Sequence, residues 1–409
     1  MMRYQNQGRA GFTVTKTIRT LLIVTAMLFL GITRSAQAED PLPDIPYILV
    51  DTSGNMVLAA NRIDERWHPA SLTKLMTAYV VFRAIAAGEI SLGSPVTITQ
   101  NAQKTPPTKM GYPLNTQLRF DTALRILVVK SANDVAIAIA ESLAGNIEAF
   151  VARMNAESVR LGLSNTNFVN PNGLHSPGQY VSARDLVVLS SAIWNEFPQY
   201  RELFETPSIS DGKKIHYSYN LLLERFSGTT GMKTGFVCAS GYNMVASAER
   251  DDRRLVAVVL GADSQTERAV TAARLLKVGF DQRQGQTMAD LGKPANPVGP
   301  TDIRKDMCSE KARNTRYDPA PETAVINSPY LEERHTRGSP VLVNIGGIDG
   351  DPSPAWMARV FVLKQVPIPT KRPEYRLVDV DGVLIDKPPI LRGSIPVPTR
   401  KPQTTTAVQ

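Results

Sequence analysis

Proline sets the limits of the fold. Of the 29 prolines in 409 residues, 17 fall after residue 290. Proline has no N–H to donate, so a stretch this rich in it cannot supply the centre of a sheet or the interior of a helix. A packed domain is therefore expected over 39–285. A largely irregular, partly disordered tail, 286–409, should follow, with short β segments such as Val341 to Ile345 and Arg359 to Leu363. The tail repeats itself: Val366-Pro-Ile-Pro-Thr-Lys-Arg-Pro373 returns as Ile395-Pro-Val-Pro-Thr-Arg-Lys-Pro402. Alternating proline with basic ends suits an extended polyproline II segment that could meet an acidic partner or polymer. A solvated spacer is the plainer alternative.

The other end of the chain explains its charge. The formal charge is +8, from 46 basic and 38 acidic residues, which on its own suggests nucleic acid. Arg3, Arg9, Lys16, Arg19 and Arg34 lie in the first 38 positions, where there is no acid. Without them 41 basic residues face 38 acidic ones, or +3, and no case for nucleic-acid binding survives. That segment has a basic start, an apolar run from Leu21 to Ile32, and small residues ending at Ala36-Gln37-Ala38. This is the pattern of a secretory signal, with cleavage expected after Ala38 and action outside the cytoplasm. A retained anchor is the alternative, but about 12 apolar residues fall short of ~30 Å of hydrocarbon at ~1.5 Å each. Outside the cytoplasm Cys238 and Cys308 could pair, and two free thiols remain possible.

Between these ends the pattern is α+β. Tyr47 to Asp51 and Met56 to Ala60 flank Thr52-Ser-Gly-Asn55 and read as a hairpin. Gly241 to Ala248 and Leu255 to Gly261 bracket a charged turn and read as another. Helical periodicity dominates between them, over Leu72 to Ala87, Ala123 to Val129, Val135 to Ala144 and Ile147 to Leu161, and a last helix runs from Gln265 to Val278. Strands at both ends with helices between predict an antiparallel sheet packed against a helical region.

Three short motifs carry chemistry. Ser71-Leu-Thr-Lys74 follows Pro69 and opens a run that is apolar on nearly every face. With Pro69 at the first helical position, Ser71 is expected in the first turn of a buried helix, and positions i and i+3 share a face. Burial would disfavour the charged form of Lys74, and a neutral amine can take a hydroxyl's proton. Ser131-Ala-Asn133 lies between two apolar helices, where a polar triplet must face a surface or cleft or simply cap a helix. Lys233-Thr-Gly235 precedes the second hairpin; a strand-edge lysine can bind a carboxylate, or merely protect the edge. Each spelling has decoys. Ser210-Asp-Gly-Lys213 lacks an apolar run to bury its lysine, Ser53-Gly-Asn55 is turn chemistry, and Ser218-Tyr-Asn220 sits in a strand-like aromatic stretch.

The order of the three motifs is more specific than any one of them. In it the sequence resembles the penicillin-recognising serine acyl transferases. More narrowly it is similar to the low-molecular-mass penicillin-binding proteins, the serine-type D-Ala-D-Ala carboxypeptidases. Asn170-Pro-Asn-Gly-Leu174, Pro177-Gly-Gln-Tyr180, Ser182-Ala-Arg-Asp185 and Ala239-Ser-Gly-Tyr-Asn243 add to the resemblance, which covers about 40–285. It implies that Ser71 is the acyl-forming nucleophile, Lys74 its proton acceptor, and Ser131 a relay to the leaving amine. Asn133 would hold the peptide amide, and Lys233, Thr234 and Gly235 would receive the terminal carboxylate end. The N–H groups of Ser71 and Phe236 would face the oxyanion, and Arg268 would be a second carboxylate-binding group or a solvated helix residue. The implied substrate is the peptidoglycan stem peptide, with β-lactams as inhibitors.

Departures from the pattern narrow the reading. A class A β-lactamase needs a glutamate after the second motif, and 158–195 contains only Asp185 as an acid. Phe236 stands where some carboxypeptidases carry a polar residue. The tail resembles neither a β-sandwich domain nor an amphipathic anchor, which favours release into the envelope space. Rival readings are a D,D-endopeptidase acting on cross-links and a catalytically idle wall-binding or β-lactam-sensing module. His68, His175, His216 and His335 lie in no Ser-His-Asp setting and most read as surface or turn residues. With the two cysteines they show no metal-ligand spacing, so neither metal nor cofactor is expected.

Overall fold

The structure is a computed structural model that describes residues 1, 41–315, 325–335 and 338–346. The signal-like segment and the two proline repeats lie outside the described residues. Every described residue belongs to one compact unit.

The expected hairpins are both present. Strand β1 (Tyr47–Asp51) turns into β2 (Met56–Asn61), where Asp51 accepts hydrogen bonds from the N–H groups of Ser53 and Gly54 and so closes the turn. Past the helical region, the short strands β3 (Ser208–Ser210) and β4 (Ile215–Tyr217) form a small hairpin. The sheet resumes with β5 (Thr229–Val237), β6 (Gly241–Arg250) and β7 (Arg253–Ala262). Asp251 and Asp252 join β6 to β7, both at positive φ, as a two-residue turn matched to strand twist requires. Strand β1 pairs antiparallel with β7, bringing the two ends of the domain together and leaving β5 at one edge of the sheet.

Helix α1 (Thr73–Ala86) is buried on almost every side, as its apolar run predicts. Around it lie α2 (Phe120–Val129), α3 (Asn133–Ala144), α4 (Ile147–Leu161) and α5 (Ala183–Glu196). Helix α6 (Gln265–Asp281) starts at Ser264, whose side chain accepts from the Glu267 N–H, and lays Ala269, Ala272, Ala273 and Leu276 against the sheet. The result is the expected antiparallel sheet with a helical region packed against it. Among the described residues no single helix is long and apolar enough to cross a membrane.

Packing does not stop at residue 285, where the proline count puts the boundary. Strand β8 (Gln286–Thr287) pairs with β2 and completes a six-stranded sheet, ordered β8-β2-β1-β7-β6-β5. Further on, Met307, Ile326 and Leu331 join the core that holds Tyr242 and Met244. Cys308 forms a disulfide with Cys238 in the β5–β6 turn, so of the two sequence alternatives the bonded one is present. Strand β9 (Val341–Leu342) then runs parallel to β3. Isolated apolar residues between prolines suffice for this, because a core needs side chains at the right places and not an unbroken ladder.

Candidate active site

Ser71 does not sit within the first turn of α1, contrary to the sequence expectation. It lies in a 3-10 turn, Ala70–Leu72, and the α-helix starts at Thr73. The cause is crowding. Ala70 is at φ 48°, and two glycines press on the same short stretch of backbone. A Cβ on Gly173 would come 1.9 Å from the Ala70 carbonyl oxygen, and one on Gly235 would come 2.9 Å from the Ser71 nitrogen. Only glycine lets strand β5 and the 170–174 loop approach the turn this closely. The spacing argument survives the shift, because Lys74 Nζ stands 3.0 Å from Ser71 Oγ.

Lys74 is 1% exposed. Its ammonium position is fixed by three oxygens: Ser71 Oγ, Asn133 Oδ1 at 2.8 Å and the Asn172 carbonyl at 2.5 Å. Burial first, and the neighbouring Lys233 charge second, hold its pKa well below that of a free lysine, against a weaker pull upward from Asp134. An amine so placed gives up its charge more readily than a free lysine, and its nitrogen stands within reach of the Ser71 hydroxyl.

The second and third motifs meet across the same space. Lys233 Nζ donates to Ser131 Oγ at 3.0 Å, joining residues 102 positions apart. Ser131 is at φ 61°, an uncommon conformation for a residue with a Cβ, which aims its side chain between α2 and α3. Asn133 is held by its own N–H to the Thr108 carbonyl and by Nδ2 to the Pro106 carbonyl, leaving Oδ1 for Lys74. Lys233 lies on the edge strand, yet at 3% exposure it points inward and does not shield the edge from water. Burial, then the Arg268 charge, pushes its pKa down to about 7.

These groups surround one cleft of about 690 Å³, with Ser71, Ser131, Asn133, Thr234, Gly235, Phe236 and Arg268 in its wall. Arg268 is not a solvated helix residue: it is 3% exposed and donates to the Tyr219 carbonyl at 3.2 Å. Phe236 packs on Tyr242 with ring centroids 4.3 Å apart and the ring planes tilted by 34°. Among the described residues no acid lines the cleft; Asp185 is spent on the Asn165 N–H and the Thr166 hydroxyl.

Some site groups were invisible in the sequence. The Asn172 carbonyl is main chain and has no spelling of its own. The β3–β4 hairpin brings Ile215, His216 and Tyr217 to the cleft, and nothing in those residues foretold it. His216, half-buried, lines the cleft, and His68 is buried at 3% exposure, so His68 is an exception to the surface or turn placement expected for most of the histidines.

With that geometry in hand, the kinship is direct. The peptidase S11 family model, described as D-alanyl-D-alanine carboxypeptidase, matches residues 35–264. The D-alanyl-D-alanine carboxypeptidase DacA of Haemophilus influenzae is 37% identical over 252 residues, 60% of this chain and 64% of its own length. DacD of Salmonella typhimurium is 32% identical over 345 residues, 79% of this chain and 88% of its own. Among solved structures, penicillin binding protein 5 from Haemophilus influenzae superposes with a TM-score of 0.56 at 36% identity, covering 60% of this chain and 73% of that one.

Proposed function

The chain belongs to the D-alanyl-D-alanine carboxypeptidase family, and from that premise we propose that it removes the terminal D-Ala from peptidoglycan stem pentapeptides through an acyl-enzyme on Ser71. The observation that carries this reading is the 3.0 Å contact from a buried, charge-disfavoured Lys74 to the Ser71 hydroxyl. A lysine with ordinary exposure would be an ammonium and could not accept a proton.

In this reading the substrate's terminal carboxylate lies against Lys233, Thr234 and Arg268, and the Asn133 side chain holds the peptide amide. Ser71 Oγ attacks the penultimate D-Ala carbonyl carbon as Lys74 Nζ takes its proton. The resulting oxyanion faces the N–H groups of Ser71 and Phe236, which the approach of Gly235 to the Ser71 turn keeps side by side. Ser131 passes a proton to the leaving amine, the C–N bond breaks, and water then hydrolyses the ester. Penicillins acylate the same hydroxyl because their strained amide imitates the dipeptide. With no carboxylate among the described residues that line the cleft to activate water, the penicilloyl-enzyme is long-lived, unlike that of a class A β-lactamase. The signal-like first segment supports action in the cell envelope, and contact of the basic tail with wall polymer belongs to the same proposal.

Incubation with a labelled penicillin followed by peptide mapping tests the assignment. The adduct is expected on Ser71, and its absence removes the enzyme reading in favour of an idle wall-binding module. Release of D-Ala from a pentapeptide, compared with cleavage of a cross-linked dimer, separates carboxypeptidase from endopeptidase.

A further inference from the structure

We infer that His68, His175 and Asp302 form a binding site for a zinc-class divalent ion behind the Ser71 turn, a site that the Arg304 guanidinium fills when no metal is bound. None of the three lines the substrate cleft. One ligand atom from each lies within 4.8 Å of the other two. Around a four-coordinate zinc with bonds of about 2.0–2.1 Å, neighbouring ligand atoms sit roughly 3.4 Å apart. Closing that difference asks movement only of His175 and Asp302, which are exposed, while His68 is anchored.

The hydrogen bonds set the ligand atoms. His68 Nδ1 lies 2.9 Å from the Gln179 carbonyl, which can only accept, so Nδ1 carries the proton and Nε2 keeps the lone pair. A carbonyl fixing the far nitrogen in this way is the usual outer partner of a metal-ligating imidazole. His175 Nε2 receives Arg304 Nη2 at 2.5 Å, and a guanidinium can only donate, so this nitrogen also presents a lone pair. Arg304 meets both Asp302 oxygens, at 3.0 and 2.9 Å from its Nε. A cation thus already lies between the carboxylate and the imidazole. It is a removable one, because the Arg304 side chain is 49% exposed. Two imidazoles and a carboxylate, with water in a fourth position, suit zinc and not magnesium or calcium, which prefer oxygen.

The three residues are 107 and 127 positions apart, which is why sequence spacing gave no sign of them. An ion here would join the segment entering the Ser71 turn, the loop whose Asn172 carbonyl meets Lys74, and the segment that carries Cys308.

The test uses the untagged, chelator-stripped full chain and zinc chloride in a calorimeter. One zinc per chain is expected, with a higher melting temperature on addition. His175→Ala and Asp302→Asn should each weaken binding by more than about a hundredfold, beyond the roughly 10–100-fold that loss of an outer partner costs. Arg304→Gln, which removes the competing cation, should tighten it. Three results would overturn the proposal: no saturable binding to either wild type or Arg304→Gln, unchanged binding after His175→Ala, or equal competition by magnesium.

Discussion

Two serine–lysine pairs with the same i, i+3 spacing meet opposite fates in this molecule. Ser71 and Lys74 lie at the head of a buried helix, and the amine is locked among three oxygens. Ser210 and Lys213 lie at the tip of the β3–β4 hairpin, where Ser210 Oγ accepts from the Gly212 N–H and Lys213 is exposed. The second amine stands in solvent, and no hydrogen bond among the described residues fixes its angle to the hydroxyl. Reactivity thus comes from what surrounds the pair, because burial makes the neutral amine accessible and tertiary contacts aim it.

The largest expected effect separates the two serines. Ser71→Ala should leave no covalent penicillin label while keeping the melting curve, and Ser210→Ala should label like wild type. Labelling lost in both, or kept in both, would break the contrast. Next comes the lysine of the first pair: Lys74→Ala should slow acylation by about 10²–10⁴-fold, the usual worth of general base catalysis, in stopped-flow measurements. Substrate affinity should largely persist.

A smaller effect concerns pH. Lys233 must be charged to hold a carboxylate, and its pKa in the free protein is about 7, so kcat/KM should decline above that pH, a limb that Lys233→Arg should remove. The same depression means that between about 7 and the ordinary value of 10.5 the unfolded chain binds a proton that the folded one does not. Stability should therefore rise with pH across that window, and denaturant titrations of Lys233→Met should show a flatter rise. Smallest of all, Lys213→Ala should change unfolding free energy by no more than about 0.5 kcal/mol, as exposed substitutions do.

What the sequence revealed follows from how local each feature is. The Ser71–Lys74 pair is a single-turn relation, and the hairpins at Thr52–Asn55 and Asp251–Asp252 are set by their own turn residues, so all of these could be read. The choice among decoys was also legible, because an apolar run after Ser71 foretells burial and its absence after Ser210 foretells exposure. By contrast, the meeting of Lys74 with the Asn172 carbonyl spans 98 positions and involves main chain, which leaves no trace in residue identity. The 3-10 turn at Ser71 was hidden for a related reason: Gly173 and Gly235 impose it from outside, against the local preference for helix after proline. Arg268 is ambiguous on its helix and becomes a site residue only because β5, at the sheet edge, lies opposite it.

The bond between Cys238 and Cys308 has a practical corollary. Gly241 lies so near Met307 and Ile303 that a Cβ there would stand 2.8 Å from the methionine. Tyr242, next in line, supports Phe236 at the mouth of the cleft. Cutting the gene where proline becomes frequent, at 285, would strip away this backing, bare an apolar face and leave a lone thiol directly after the last residue of β5. Fragments meant for assay or crystallisation should therefore keep the chain at least through Val343, whose side chain is the last deeply covered one among the described residues.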